Sequence, residues 1–167
     1  MDLQIRATTR DDLSEVDALL ARSYPRLLKD AYPPSVLVTA LPLISRAQPY
    51  LVTSGTYYAA IHDGHIVGAG GWSADKTRRA LGHVRHVATD DRFARRGVGR
   101  ALLHHILHAA RSAGMREMEC WSTTNAVPFY ASAGFSEIGP MDVELQPGIT
   151  FPSVRMGMDL ANGTERG

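Results

Sequence analysis

The sequence predicts a mixed α/β (α+β) fold in which helices flank one central sheet. Three observations support this prediction. Residues 83–89 are rich in β-branched residues, and a glycine-bearing loop connects them to an amphipathic helical segment that begins at Val98. Two strand-like segments are joined by Asp63-Gly64, a dipeptide that favours tight hairpins. Near the amino terminus, apolar and polar residues alternate over residues 3–7, as they do in a strand.

Helices dominate the first third of the chain after that strand. Thr9 and Asp12 have the spacing of a capping box, which predicts a helix start. We expect the helix to be interrupted at Tyr24-Pro25, because proline removes a backbone donor and clashes with the preceding turn. Pro42 makes the last of these helices weak or kinked. The expected helical segments are residues 11–22, 26–31 and 36–46.

Strands and two further helices fill the rest of the chain. The helix that begins at Val98 is expected to end before Gly114, and a short helix over residues 126–133 is expected to end at Gly134. A strand–helix–strand unit around the longer helix should be parallel and right-handed. The expected strands are residues 56–61, 66–72, 83–89, 115–121, 135–145 as one long or bulged strand, and 154–160.

The junction between the central strand and its helix has the composition of an anion site. The first turn of a helix leaves backbone N–H groups unpaired and carries partial positive charge. Glycine lets an anion approach closely, and arginine side chains suit phosphate oxygens. The sequence therefore predicts a pyrophosphate site here, and a simple helix start is the alternative. The predicted site consists of Arg95, Arg96, Gly97, Val98, Gly99 and Arg100.

This junction resembles the acetyl-CoA-binding motif of the GNAT N-acetyltransferase superfamily, Gln/Arg-x-x-Gly-x-Gly/Ala. Gly97 and Gly99 fill the two small positions, whereas Ala94 stands where Gln or Arg is usual. A second motif, Asn125-Ala-Val-Pro-Phe-Tyr130 followed by Gly134-Phe135, resembles the other GNAT signature, in the family's order and spacing. The resemblance implies a GNAT fold. Its sheet has six to seven mostly antiparallel strands with a parallel pair splayed at the centre, and about four helices flank it.

The resemblance also implies an activity and site residues. A GNAT enzyme transfers an acetyl group from its co-substrate acetyl-CoA to an amine by direct attack in a ternary complex. Tyr130 would protonate the departing CoA thiolate. A phenol suits this role because its pKa, about 10, lies above that of a thiol, about 8.5. Backbone groups of Val87, Ala88 and Thr89 would pair with the pantetheine arm, and Asn125 joins the expected cofactor-binding set.

The central strand offers a base for the amine. Arylalkylamine N-acetyltransferases carry His-x-His on this strand and a Val-Pro-Phe-Tyr run, so the chain has a narrower likeness to them. Their first histidine corresponds to His83 and their second to Arg85. We expect His83 to act as a water-linked base, and a partly exposed structural histidine is the equal alternative. Alternation along the strand predicts His83 and Arg85 on one face and His86 on the other.

Composition excludes several classes of function. Lys+Arg 18 against Asp+Glu 17 gives a net charge of +1, so neither nucleic acid nor an anionic membrane is an expected partner. The amino terminus lacks the features of a signal peptide, so a cytoplasmic protein is expected. Cys120 stands alone and is expected to be inert core. His104, His105 and His108 are expected to be solvated, and no metal is expected.

We therefore expect one GNAT domain over residues 1–160 and a flexible tail over residues 161–167. The acceptor is a primary amine of a small molecule or a peptide. It should bind between the helices of residues 11–47 and the last two strands, near Tyr24, Tyr32 and Tyr50. A homodimer is left open. The alternative function is a non-catalytic acyl-CoA sensor or interaction module.

Overall fold

The computed structural model describes residues 1–161 and contains five helices and one sheet of seven strands. The helices are α1 Leu13–Leu28, α2 Pro34–Ile44, α3 Pro49–Val52, α4 Val98–Ser112 and α5 Val127–Ser132. The strands are β1 Gln4–Ala7, β2 Tyr57–His62, β3 His65–Ala74, β4 Leu81–Thr89, β5 Glu117–Ser122, β6 Ser136–Gln146 and β7 Ile149–Asp159. Most of the predicted tail, from residue 162 onward, lies outside the described residues.

The sheet is mixed, as the sequence predicts. Its strand order is β1-β2-β3-β4-β5-β7-β6, and β4 and β5 are parallel while the other neighbours are antiparallel. The parallel pairing runs only from Leu81 opposite Glu117 to His83 opposite Glu119. Beyond His83 the two strands diverge, which confirms the predicted splayed pair at the centre of the sheet.

The two faces of the sheet bury different helices. Helix α4 packs its apolar stripe, including Leu102 and Ile106, against one face, where Tyr58 of β2 also lies. Helix α1 packs against the other face, on which Tyr57 lies. Successive side chains of a strand point to opposite faces, so adjacent tyrosines of β2 contribute to separate cores. The two cores hold the central strands in place, and the site forms where those strands end.

The predicted interruption at Tyr24-Pro25 is wrong, because α1 continues through Pro25 to Leu28. Leu20 and Leu28 are both fully buried, one on each side of the proline. Burying apolar side chains on both sides offsets the backbone hydrogen bond that a proline inside a helix removes. The predicted capping box between Thr9 and Asp12 is present, and in it the Asp12 carboxylate accepts the Thr9 amide at 2.7 Å.

Other differences are smaller. The four-residue helix α3 was not predicted, and β3, β4 and β7 each begin before their predicted start. The long bulged strand predicted over residues 135–145 is β6, whose register against β7 shifts between Glu137 and Gly139. None of the helices within residues 1–161 is both long and apolar enough to cross a membrane.

Candidate active site

A β-bulge in β4 opens the centre of the sheet. Ala88 lies opposite Ala69 and Arg85 opposite Gly71, so β4 contains one residue more than β3 between these pairs. His86 has a φ of 48°, which an L-residue rarely adopts outside turns and bulges. The Tyr57 hydroxyl donates to the His86 carbonyl at 3.0 Å and holds the distorted backbone. The edge of β4 that faces β5 is therefore without a strand partner after His83.

The bulge corrects one prediction about side-chain direction. Strict alternation would place His86 on the opposite face from His83 and Arg85. However, Val84 and Val87 both pack against the core beneath α4, so alternation is broken between them, and His86 lines the same cavity as His83 and Arg85. An extra residue in a strand breaks the two-residue period. The register shift lies at Gly70, and the glycines at 68, 70 and 71 are typical of a flexible strand or a bulge. Burial, with the nearby Arg85 charge adding to it, lowers the pKa of His86 to about 4. His86 is therefore neutral at physiological pH.

The glycine loop presents a run of backbone donors. After a short 3-10 turn at Asp91–Phe93, the chain adopts positive φ at Arg95, 63°, and at Gly97, 85°. The first backbone hydrogen bond of α4 joins the Ala101 N–H to the Gly97 carbonyl at 3.0 Å. Among residues 1–161, the N–H groups of residues 95–100 donate to no protein acceptor. Unpaired amides at the start of a fifteen-residue helix form an anion site.

Close packing joins this loop to β4 and α5. A Cβ atom on Gly99 would lie 3.3 Å from the Phe129 ring and 3.4 Å from Thr89 Oγ1. Any larger residue at this position would have to displace the Phe129 ring or fill the approach to the amides. The structure thus brings the end of β4, the loop and the first turn of α5 together, as the predicted cofactor set requires.

The arginines near the loop fall into two groups. Arg92 is bound to the Asp90 carboxylate at 2.7 Å, and Arg22 of α1 lies 3.0 Å from Asp91. In contrast, the exposed side chains of Arg95, Arg96 and Arg100 form no ion pair within residues 1–161; the Arg96 guanidinium lies 5.5 Å from the centre of the Phe93 ring. The three predicted arginines are free to pair with an anion held by the amides.

Tyr130 is buried beside the loop. Its ring makes edge contacts with Phe129 at 5.1 Å and with Phe135 at 5.6 Å. Burial raises the pKa of the Tyr130 phenol well above its ordinary value. Its hydroxyl forms no hydrogen bond to any of residues 1–161, so the proton is held on an unengaged oxygen. Asn125 points elsewhere, because its side-chain amide donates to the Leu27 carbonyl at 3.1 Å and ties the start of α5 to the end of α1.

His83 is paired with a carboxylate that the sequence did not single out. Its Nε2 lies 2.7 Å from Asp75 Oδ1. The other oxygen of Asp75 accepts the backbone N–H groups of Arg78 at 2.7 Å and Thr77 at 3.1 Å. These bonds, led by that from Arg78 and followed by that from His83, hold the pKa of Asp75 far below its usual range. An ionised carboxylate only accepts, so Nε2 carries the proton, and Nδ1 of a neutral His83 is left as a proton acceptor.

Strand pairing is the signal that could have identified Asp75. Ser73 lies opposite His83 in the antiparallel β3–β4 hairpin, so Asp75, two residues after Ser73, is the diagonal neighbour of His83. The sequence indicates both strands, but it predicts the end of β3 at Trp72, two residues too early to show this pairing.

A cavity of about 600 Å³ extends from His83 between the helical region and the last two strands, where the acceptor was expected. Tyr24 and Tyr50 line it, whereas the Tyr32 hydroxyl donates to the Pro152 carbonyl at 2.7 Å instead. The polar part of its lining consists of Ser73, Asp75, Lys76, Thr77, His83, Arg85, His86, Thr123 and Ser153. The less polar part consists of Tyr24, Ile44, Tyr50, Ala74, Val84, Trp121, Val143, Leu145 and Phe151.

Two other predicted features have plain structural settings. Cys120 is buried on β5, and burial raises the pKa of its thiol to about 12. A thiol with so high a pKa is not a nucleophile at neutral pH. His105 is not fully solvated as expected, because its ring lies 4.5 Å from that of Tyr58. No group of three metal-ligating side chains occurs within the described part of the chain.

Comparison with known proteins gives concordant results. A family model described as an acetyltransferase (GNAT) domain matches residues 41–158. A glucosamine 6-phosphate N-acetyltransferase from Trypanosoma brucei brucei is 30% identical over 139 residues, which cover 81% of this chain and 90% of that protein. Both matches include the glycine loop and the motif that ends at Tyr130.

Solved structures share the fold. The PaiA N-acetyltransferase from Thermoplasma acidophilum, solved in complex with coenzyme A, has a TM-score of 0.72 at 13% identity, covering 95% of this chain and 99% of that chain. A GCN5-related N-acetyltransferase from Rhodopseudomonas palustris has a TM-score of 0.77 at 17% identity, covering 95% and 96% of the two chains. The fold predicted from the two sequence motifs is confirmed.

Proposed function

This chain belongs to the GNAT acetyltransferase family and is an acetyl-CoA-dependent N-acetyltransferase, and we propose that it acetylates a primary amine of a small molecule or a peptide by direct attack in a ternary complex. The observation that carries the proposal is the convergence of three features at the divergence of β4 and β5. They are the unpaired amides of residues 95–100, the buried phenol of Tyr130 and the His83–Asp75 pair.

The cofactor side of the site suits the diphosphate of CoA. Consecutive N–H groups point from the loop without an acceptor, and glycine at position 99 keeps the approach open beside Phe129. Arg95, Arg96 and Arg100 add positive charge, and they compensate for Ala94, which replaces the usual Gln or Arg of the motif. The open edge of β4, with the backbone groups of Val87 to Thr89, would pair with the pantetheine arm. Asn125 would lie near the cofactor because of its place before α5, but its side-chain amide already donates to the Leu27 carbonyl.

Acetyl-CoA supplies an acetyl group activated as a thioester. The amine nitrogen forms the new C–N bond to the carbonyl carbon as the C–S bond breaks, and the sulfur leaves with the bonding electrons. Tyr130 would give its proton to that sulfur, because its buried phenol is protonated at neutral pH when the thiolate forms, and the phenolate would regain a proton from solvent after the products leave. Backbone N–H groups at the end of β4 would stabilise the charge that develops on the carbonyl oxygen.

The amine needs a proton acceptor before it attacks. At pH 7 an alkylamine with a pKa near 10.4 is neutral in only about one of several thousand molecules. Nδ1 of His83 is a suitable acceptor, directly or through a water, because Asp75 fixes the proton on Nε2. Asp75 also stabilises the imidazolium that results. Proton transfer therefore runs from the amine to His83, and from Tyr130 to the leaving sulfur.

Direct attack needs no enzyme nucleophile. The high pKa of Cys120 argues against an acyl-cysteine route, and positioning of the two substrates supplies the rate instead. A free-thiol release assay with acetyl-CoA tests the proposal. The panel should contain aryl-alkylamines, aminoglycosides, amino acids, amino-sugar phosphates and peptide amino termini.

We expect thiol release that depends on the amine with at least one of these classes. We also expect calorimetry to detect CoA binding when no amine is present. Tight CoA binding without thiol release from any amine would favour the alternative function, an acyl-CoA sensor. Absence of CoA binding would contradict the assigned loop. The narrower likeness to arylalkylamine N-acetyltransferases stays a prediction, and the aryl-alkylamine arm of the panel tests it.

A further inference from the structure

We propose that Arg85 forms an anion subsite in the acceptor cavity, so that the acceptor amine carries a carboxylate or a phosphate. The inference rests on the proposed function and specifies its substrate class. It starts from the position of Arg85, two residues after His83 on β4 and on the same face. Both side chains line the cavity of about 600 Å³.

Arg85 is held in place by neutral partners. One terminal nitrogen of the guanidinium donates to the Ser73 hydroxyl at 3.1 Å, and the other donates to the Tyr50 hydroxyl at 2.8 Å. Within residues 1–161 no carboxylate lies within ion-pair distance of Arg85. A guanidinium has five N–H donors, so three remain for a ligand. The Arg85 side chain is therefore held in one orientation, and some of its N–H donors are still available to a ligand.

The cavity as a whole has excess positive charge. Among the residues that line it, Lys76 and Arg85 are cations and Asp75 is the single carboxylate. Asp75 cannot neutralise Arg85, because four donors from Thr77, Arg78 and His83 already engage it. Burial lowers the pKa of the neighbouring His86, and the charge of Arg85 adds to that effect, so His86 contributes no positive charge at neutral pH.

An anionic acceptor would complete this arrangement. Residues two apart on a strand are separated by roughly 7 Å, so an amine at His83 and an anion at Arg85 fit one small molecule. Arginine binds carboxylate and phosphate with paired, charge-assisted hydrogen bonds. The ring of Trp121 lies beside His83, at 5.8 Å, and with Phe151 it provides an apolar wall for the body of the acceptor. The expected class is therefore an amino acid whose amine and carboxylate lie several carbons apart, or an amino-sugar phosphate.

Matched pairs of amines test the subsite. One arm compares 4-aminobutyrate with propylamine and 5-aminopentanoate with butylamine, and the other compares glucosamine 6-phosphate with glucosamine. Each pair differs in the anionic group alone. For the wild-type protein we expect kcat/KM to be at least tenfold higher for the anionic member in one arm, and that arm identifies carboxylate or phosphate as the anion.

The Arg85→Gln variant should remove this preference. Loss of a charge-assisted bidentate contact should raise KM for the anionic member about 10- to 100-fold, while KM for the neutral member stays within about twofold. Arg85→Lys should restore part of the preference. Arg79→Gln is the control, since Arg79 is an exposed arginine in the segment between β3 and β4 and does not line the cavity. Unchanged CoA affinity in both glutamine variants verifies the fold.

Calorimetry with CoA-saturated protein gives a second readout that does not depend on turnover. We expect binding of the preferred anionic amine to weaken in Arg85→Gln and to be unchanged in Arg79→Gln. Equal use of anionic and neutral amines by the wild type, with equal binding, would overturn the subsite and leave the proposed function intact. Absence of thiol release from every amine would overturn the proposed function, and the binding measurement would still decide the subsite.

Discussion

The proposed cofactor region and the proposed acceptor cavity are built in different ways. The cofactor region, defined as residues 87–100, is continuous in sequence, and its donors are backbone N–H groups. The acceptor cavity draws its lining from helices and strands scattered between Tyr24 and Ser153, and its donors and acceptors are side chains. A substitution that leaves the backbone path unchanged therefore preserves the cofactor region, whereas almost any substitution in the cavity changes its chemistry.

This difference explains how one fold uses a single acyl donor with many acceptors. Backbone amides recognise a diphosphate whatever the neighbouring side chains are. Side chains such as Arg85 and Trp121 can be exchanged without disturbing the loop, because α4 and the end of β4 are held by a separate core. The following predictions test whether the two regions are as independent as this comparison requires, in order of decreasing effect on activity.

Tyr130 lies where the two regions meet, and Tyr130→Phe should have the largest effect. We expect kcat to fall by about 10²- to 10⁴-fold, the usual contribution of a general acid, with CoA affinity unchanged. The melting temperature should change little, since the hydroxyl forms no hydrogen bond to the described residues. Single-turnover thiol release and calorimetry measure these quantities. Tyr58→Phe is the control, because Tyr58 is also buried but accepts from Trp72 in the core. Turnover close to that of the wild type would assign protonation of the thiolate to another group.

Gly99→Val should affect the cofactor region alone. The new Cβ would lie 3.3 Å from the Phe129 ring, so the ring or the helix start must move and the amides become obstructed. We expect the Kd for CoA to rise about 10- to 100-fold, equivalent to the loss of one or two charge-assisted hydrogen bonds. Acceptor KM at saturating acetyl-CoA should stay unchanged. Gly139→Val is the control, because a Cβ at Gly139 meets nothing within 4 Å. A change in acceptor preference would show that the two regions are coupled.

His83→Gln should affect the acceptor side alone. We expect kcat at pH 7 to fall about tenfold or more, while CoA affinity stays unchanged. Raising the pH toward 10 should restore much of the activity, because the free amine then loses its proton without a base. His108→Gln, on the exposed face of α4, is the control. A pH-independent loss would indicate that His83 has a structural role.

His86 tests the bulge that separates the two regions, and its effect is on stability. Burial lowers its pKa to about 4, against about 6.5 in the unfolded chain. As the pH falls from 6.5 to 4, the unfolded state binds a proton and the folded state does not, so the free energy of unfolding decreases by up to about 3 kcal/mol. Above pH 6.5 this loss is absent. His86→Asn keeps a residue that tolerates the positive φ and removes the titration.

Urea denaturation at pH 7 and pH 4 compares the two proteins. Contributions from other groups are common to both, so the wild type should lose about 3 kcal/mol more than His86→Asn between these pH values. Equal losses would show that the His86 side chain is solvated in the folded state.

The comparison also explains what the sequence could predict. Local patterns were predicted close to their observed positions. They are the glycine loop, the motif that ends at Tyr130 and the succession of strands along the chain. Pro25 was misread because local propensity favours a break, while burial of Leu20 and Leu28 keeps the helix continuous. Tertiary packing outweighs a local rule in this case.

The acceptor cavity was predicted only in outline. The partners of His83 and Arg85 depend on how β3 and β4 are aligned. The glycines of β3 indicate a flexible strand or a bulge, but they do not show that His86 on β4 takes the positive φ. Asp75 lies in the polar segment between β3 and β4, and such polarity is as typical of an exposed loop as of a functional site. The hydrogen bond from Arg85 to Tyr50 joins residues far apart along the chain, and no periodic pattern in the sequence predicts it.

The early end of pairing between β4 and β5 also has a mechanical consequence. Backbone hydrogen bonds tie the two halves of the sheet together only from Leu81 to His83 at this seam, whereas β6 and β7 pair along nearly their whole length. The extended pantetheine arm of a bound acyl donor, paired with the backbone of β4, would act as a further strand and add hydrogen bonds between the two halves of the sheet. Protection of the β4 amides from hydrogen exchange, and with it the rigidity of the whole sheet, should therefore follow how much acyl donor the cell provides.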